Sequence, residues 1–345
     1  MGDNMWIKSI CDMEKIVFRG RQKEIDGGRM LLWPLSGVDI RIRCRELYVE
    51  AEGRGDGHAP WLCVWADGGV IARFPVQKGR YWYPAMLGMD DQVEHTVTVV
   101  CDTQPVGGDG MRLLLHSLKS DGQVLDVPAP KYQIEFIGDS LTTGEGCTGP
   151  CSAREWKTAW MSPSFGYAHQ VGCDLSARVH LISQSGWGVC SDWEGKAQNN
   201  LPRIYETLCD LVPEANEPYA FDTAMDAVVL NLGTNDHSAV ARLPEDERDA
   251  HRQKIRQGAA DFIRMIRKHH PRAYILWTYG MCGGDLGKDL AKAVETVRSE
   301  GDLRVGYAQL PACAEEDTGS LLHPGVKNHD QAAQVILAHL KSVLD

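Results

Sequence analysis

The chain has 345 residues, with 36 Lys and Arg against 47 Asp and Glu, a formal charge of −11, 43% hydrophobic and 24% charged residues. Those proportions belong to ordinary globular chains, and the length allows about two domains. The acidic balance argues against a nucleic-acid binder, which needs a clustered basic surface, and no run of about 18 apolar residues is present to cross a membrane.

Met1–Lys8 lacks a basic stretch followed by an apolar run, and Trp6 stands where a myristoylation pattern needs Ser or Thr, so the expected location is cytoplasmic. From about residue 30 the apolar residues recur in twos. Val38, Ile40, Ile42 and Cys44 alternate with Asp39, Arg41 and Arg43; after a slip at Arg45-Glu46 the rhythm resumes at Leu47, Val49 and Ala51. This predicts a half-buried strand with a bulge or turn in its middle. Short apolar runs at 61–65, 70–74, 96–101 and 112–118 follow, separated by Gly- and Asp-rich breaks such as Gly107-Gly108-Asp109-Gly110. Many short strands at that spacing predict a β-sandwich. Val127-Pro128-Ala129-Pro130 cannot continue a ladder, so the expected domains are 1–128 and 131–345.

Beyond this connector the pattern changes. Strands are predicted at 133–137, 178–182, 227–232, 273–278 and 303–307, and helices at 164–175, 201–211, 245–269, 289–300 and 326–344. Repeated β-α alternation predicts a parallel sheet covered by helices on both faces, an α/β fold of three layers.

In such sheets ligands sit outside the carboxyl ends of the strands. The residues there are Gly138-Asp139-Ser140-Leu141, Ser183-Gln184-Ser185-Gly186 and Gly233-Thr234-Asn235-Asp236, with His323-Pro324 before the last helix. Ser140 leaves a buried strand through a glycine and opens a helix, whose N-terminal amides favour developing negative charge. A serine hydroxyl is a weak nucleophile until a base takes its proton, and His323 is the candidate base. The N–H of Ser140, the unobstructed N–H of Gly186 and the Asn235 amide form a candidate oxyanion hole. Asp139 and Asp236 are expected to fix the loops behind them. Each element alone is an ordinary cap or turn; four of them, in order, each beside a strand end or the last helix, point to acyl transfer.

Three other patterns carry less. Gly144, Gly146 and Gly149 match a dinucleotide fingerprint, but too far from the strand. The odd count of 11 cysteines, with no Cys-x-x-Cys and no second pair or histidine beside Cys147 and Cys151, predicts reduced thiols and no metal site. His269-His270 reads as a charge complement at a helix C-terminus.

The run from Ile134 to Gly144 resembles the first block of the SGNH or GDSL hydrolases; Gly186, Asn235 and His323 match the second, third and fifth. The chain is most similar to carbohydrate esterase family 2, whose closing His-Pro with a further histidine five residues on is seen as His323-Pro324 and His329. Trp33-Pro34-Leu35-Ser36-Gly37 and Glu94-His95-Thr96-Val97 resemble that family's sandwich. The resemblance implies a β jelly roll ahead of an SGNH domain. The implied activity is removal of O-acetyl groups from plant oligosaccharides of xylo or manno type by a serine hydrolase without cofactor. A transacylase, an esterase of other short acyl groups and a non-catalytic carbohydrate-binding protein are the alternatives. One departure stands out. The family places an Asp three or two residues before its histidine, where this chain has Ser320 and Leu321. Either a backbone carbonyl orients His323, giving a Ser–His dyad, or a carboxylate such as Asp317 reaches in. Leu322 replaces the family's tryptophan before the histidine, which shifts the expected sugar platform to Trp187, Trp277 or Tyr279. His329 is expected to pack within the last helix.

Overall fold

The computed structural model describes residues 5–344; Met1–Asn4, on which the reading of the chain start partly rests, and Asp345 lie outside the described residues. Contacts separate two compact units, Met1–Ala129 with Lys157–Ala159 and Leu208–Glu217, and Pro130–Trp156 with Trp160–Thr207 and Pro218–Asp345. Among the described residues no helix is long and apolar enough to cross a membrane.

The first unit consists of two antiparallel sheets. One contains β1 (Trp6–Ser9), β3 (Gln22–Ile25), β4 (Gly28–Leu31), β6 (Glu46–Arg54), β9 (Gly79–Leu87) and β11 (Arg112–Ser120). The other contains β2 (Val17–Arg19), β5 (Gly37–Arg43), β7 (Trp61–Ala66), β8 (Gly69–Pro75), β10 (His95–Cys101) and β12 (Gln123–Leu125). The slip at Arg45-Glu46 is more than a kink within one strand: β5 and β6 lie in different sheets. Their apolar positions, Val38, Ile40, Ile42, Cys44, Leu47, Val49 and Ala51, all enter one buried cluster. A two-residue period must change phase where the chain passes to the facing sheet, or the same side chains would turn to solvent. Strand β9 escaped the periodicity: among the described residues it pairs with β6 alone, at the edge of its sheet, and it carries Pro84, which an edge strand tolerates. Two segments from later in the sequence complete this unit. Trp33, fully buried, donates from Nε1 to the Leu208 carbonyl at 2.8 Å, and Thr158 Oγ1 donates to the Ala59 carbonyl at 3.0 Å.

The second unit is built on a five-stranded parallel sheet in the order β14-β13-β15-β16-β17, from Ala177–Ser183, Tyr132–Gly138, Ala227–Asn231, Tyr274–Tyr279 and Val305–Gln309. Helices α1 (Ser140–Thr143), α2 (Tyr167–Asp174), α3 (Leu201–Tyr205), α4 (Thr234–Ala241), α5 (Glu245–His269), α6 (Gly287–Ser299) and α7 (Val326–Leu344) alternate with them. Neighbouring residues of a strand point to opposite faces. On β13, Phe136 meets Tyr167 of α2 with ring centroids 5.9 Å apart, while Glu135 accepts a 2.7 Å hydrogen bond from Tyr205 of α3, whose ring stands edge-on to Phe262 of α5. The two groups of helices therefore cover the two faces.

Helix α5 occupies the span expected, with Glu245, Asp246 and Glu247 in its first turn and Arg267, Lys268 and His269 in its last, matching the dipole. The helix expected at 201–211 stops at Tyr205. Leu208, Cys209 and Val212 are buried, but within a segment that belongs to the first unit, so their spacing did not report a helix face.

Candidate active site

Strand β13 ends at Gly138, and Asp139 caps the turn that follows: its Oδ1 accepts from Leu141 N at 3.0 Å. A side chain at Gly138 would collide with Thr142, so the chain leaves the sheet sharply and presents Ser140 at the start of α1. That helix is a single turn, too short for the macrodipole expected from the sequence. The backbone amides remain, without a long helix behind them.

His323 comes from the opposite end of the chain. Its Nε2 lies 3.0 Å from Ser140 Oγ across 183 positions. It is delivered by the turn Ser320–Leu322, in which Leu321 and Leu322 both hold positive φ, 57° and 60°. Such conformations cost about 1–3 kcal/mol each for a residue with a Cβ. His323 itself is extended (φ −74°, ψ 156°), as a residue before proline must be. Neither orienting partner considered from the sequence is in place. Asp317 is paired with Lys327 Nζ at 2.9 Å, and His323 Nδ1 is buried with no hydrogen-bond partner among the described residues. The remaining carboxylate near the ring is Glu145, with Oε1 3.8 Å from Nε2.

Three loops are tied together behind the serine. Asn235, near the start of α4, donates from Nδ2 to Asp139 Oδ2 at 3.1 Å and to the Trp187 carbonyl at 2.9 Å. Its two amide hydrogens thus already have acceptors in the loops that carry Ser140 and Gly186. Asp236 accepts from the backbone N–H of Val189 and Cys190, both at 2.8 Å, and holds the segment after Gly186. Gly186 has φ 80°, a left-handed conformation that glycine adopts without strain. Burial dominates the titration of these groups. It pushes the Asp139 carboxyl up to about 7, helped by the charges of Asp236 and Glu145 and opposed by the Leu141 N–H. Burial also raises Asp236 against its amide donors. His329, fully buried on α7 and stacked on Tyr167, is pushed down to about 4 by burial and by the charge of His323.

The model of the GDSL-like Lipase/Acylhydrolase family matches residues 136–329, the stretch that holds every one of these groups. The chain belongs to this family. By membership it is a carboxylic-ester hydrolase. A solved acetyl xylan esterase (Est2A) from the rumen bacterium Butyrivibrio proteoclasticus superposes with a TM-score of 0.93 at 31% identity, covering 99% of this chain and 98% of that one. A family two carbohydrate esterase from Clostridium thermocellum, solved in complex with cellohexaose, has the same two-part fold (TM-score 0.83, 22% identity, 95% and 99% covered). The cellulase/esterase CelE of Acetivibrio thermocellus is 25% identical over 96% of this chain, which spans 40% of that protein's length.

The aromatic residues expected to form a sugar platform are mostly enclosed. Trp277 is fully buried with Nε1 bonded to the Leu232 carbonyl, and Tyr279, the last residue of β16, is packed against Gly233 and Gly284; both belong to the core. Trp187 is 9% exposed, with Arg203 over its ring, so little of its face is open. Sequence reasoning missed Trp193. It is 44% exposed, backed by the Arg242 guanidinium, and its Cδ1 lies 3.2 Å from where a Cβ on Gly186 would stand. It lies in the segment after Gly186, away from any strand end, and only exposure reveals it. Nor was Glu145 singled out, because nothing in its spacing marks it. The glycines around it form no dinucleotide loop: Gly144 and Gly146 hold φ 70° and 72° in the turn that ends α1. His269 donates from Nε2 to the Glu206 carboxylate at 2.6 Å and stacks on Phe221, a structural setting.

Proposed function

We propose that this chain removes O-acetyl groups from acetylated plant oligosaccharides of xylo or manno type through an acetyl-serine intermediate. The observation that carries the reading is the 3.0 Å approach of His323 Nε2 to Ser140 Oγ beside the Gly186 loop. In the proposed reaction Nε2 takes the hydroxyl proton as Oγ bonds to the acetyl carbon. The oxyanion is held by the N–H groups of Ser140 and Gly186 and by Asn235, which shares one of its amide hydrogens. Removing one such donor typically costs about 3 kcal/mol of transition-state stabilisation. The imidazolium then returns its proton to the departing sugar oxygen, and a water activated by the same ring frees the serine. Asp139 and Asp236 fix the loops, and among the described residues no carboxylate bonds to Nδ1, so the pair works as a dyad. Trp193 offers the open ring face for a sugar beside the scissile ester. The sandwich, 1–128, is read as an accessory domain to the catalytic 131–345.

The names of similar proteins support the carbohydrate substrate. Besides Est2A, a relative in Cellvibrio japonicus, 26% identical over 73% of this chain and 68% of its own length, is called an acetylxylan esterase / glucomannan deacetylase. Hydrolysis of a small acetyl ester and of acetylated xylo- and manno-oligosaccharides tests the reading. Turnover is expected to be abolished in Ser140→Ala and to fall steeply for acyl groups longer than propionyl. Full activity in Ser140→Ala refutes it.

A further inference from the structure

We infer that Glu145 is the positioning residue that supplies, through space, the negative charge this active site lacks at Nδ1 of His323. The inference rests on the Ser140–His323 reading above. When Ser140 Oγ bonds to the ester carbon, its proton moves to Nε2 and the ring acquires a full positive charge. The His323 ring is only partly exposed, and an imidazolium largely withdrawn from water without a counter-charge is costly. Asp317, the carboxylate nearest in sequence before the histidine, is engaged by Lys327, and Asp139 and Asp236 are turned to backbone amides and Asn235. Glu145 remains. Its side chain is buried, Oε1 stands 3.8 Å from Nε2, and Oε2 has no hydrogen-bond partner among the described residues.

The backbone holds that carboxylate in place. Glu145 N donates to the Ser140 carbonyl at 2.9 Å, so its position is referenced to the nucleophile itself. Gly144 and Gly146 on either side hold positive φ, and a Cβ on either would collide with the backbone of Ser162 or Ser320. Ser162 N and Ser320 N donate to the carbonyls of Gly144 and Gly146 at 3.0 and 2.9 Å, gripping the turn from both sides. Ser320 belongs to the turn that delivers His323, so one turn fixes Glu145 against both members of the pair. At 3.8 Å the carboxylate is too far to take the proton as a hydrogen-bond partner. It acts as a charge, stabilising the imidazolium in both acylation and deacylation while leaving Nε2 free to pass its proton to the leaving oxygen.

The test uses the full chain, a small acetyl ester, steady-state kinetics and urea unfolding on wild type, Glu145→Gln, Glu145→Asp and Ser140→Ala. Glu145→Gln keeps the shape and removes the charge; kcat is expected to fall ten- to a hundredfold with KM within about twofold. Glu145→Asp keeps the charge and is expected to retain kcat within about fivefold of wild type. Glu145→Gln with wild-type kcat overturns the inference. So does a folded Glu145→Asp that loses as much as the Gln variant, and this comparison decides the matter if Glu145→Gln fails to fold. An inert Ser140→Ala beside a fully active Glu145→Gln removes the role of Glu145 alone; an active Ser140→Ala removes the Ser140–His323 reading with it.

Discussion

Two buried groups near the catalytic pair, His329 and Asp139, titrate in opposite senses and contribute slopes of opposite sign to the acid dependence of stability. His329 is held near 4 in the fold against an ordinary 6.5, and Asp139 near 7 against an ordinary 3.8. Between about pH 4 and 6.5 the unfolded chain binds a proton on His329 that the folded chain refuses, so this group makes stability rise with pH, by about 1.4 kcal/mol per pH unit. Over the same window the folded chain keeps a proton on Asp139 that the unfolded chain has lost, so that group makes stability fall at the same rate. In the wild type the two slopes cancel. His329→Gln leaves Asp139 unopposed, and its stability is expected to drop by about 3 kcal/mol from pH 4 to 6.5 relative to the wild-type trend. Asp139→Asn leaves His329 unopposed and is expected to gain about as much over the same interval. Urea unfolding at half-unit steps of pH reads both. Each substitution also carries a fixed cost, such as loss of the 3.4 Å acceptor for Tyr167 N or rearrangement of the Asn235 bridge, but this displaces the curve without changing its slope. Curves for both variants parallel to the wild type would refute the assignment of these protons.

Gly186→Ala places a methyl group at φ 80° against the Trp193 ring and turns the donor N–H; kcat on a small ester is expected to fall about a hundredfold, with stability lower by about 1–2 kcal/mol in urea unfolding. Trp193→Ala is expected to raise KM for an acetylated oligosaccharide about three- to tenfold, the worth of one stacking contact, while leaving KM for a small acetyl ester within about twofold; an equal rise for both would place the ring elsewhere than at the sugar. Asp317→Ala is expected to keep turnover within a fewfold, since its carboxylate serves Lys327, and a loss of several orders of magnitude would show that it reaches His323 during the reaction.

Local pattern alone determined a good deal of this protein. Alternation marked β5 and β6, short apolar runs between turn signals marked β7, β8, β10 and β11, and the five buried runs after residue 130 marked every strand of the parallel sheet, because a strand's period or a short apolar run between turn signals is set by its own residues. It also marked Ser140, Gly186, Asn235 and His323, since groups at the ends of parallel strands are brought to one edge by the topology itself. Where an apolar run goes is not a local property. Leu208–Val212 could not be told from a helix face, and the phase slip at Arg45-Glu46 did not say that the chain changes sheet. Burial of rings is likewise decided by neighbours far along the chain: Trp277 and Trp193 are the same residue type, yet one is fully buried within a strand, bonded to the Leu232 carbonyl, and the other is open beside Gly186. The partner of His323 shows the limit most plainly. A carboxylate acts by distance, and the separation of 3.8 Å between Glu145 and an imidazole 178 positions away exists only once two glycine-hinged turns have closed on each other.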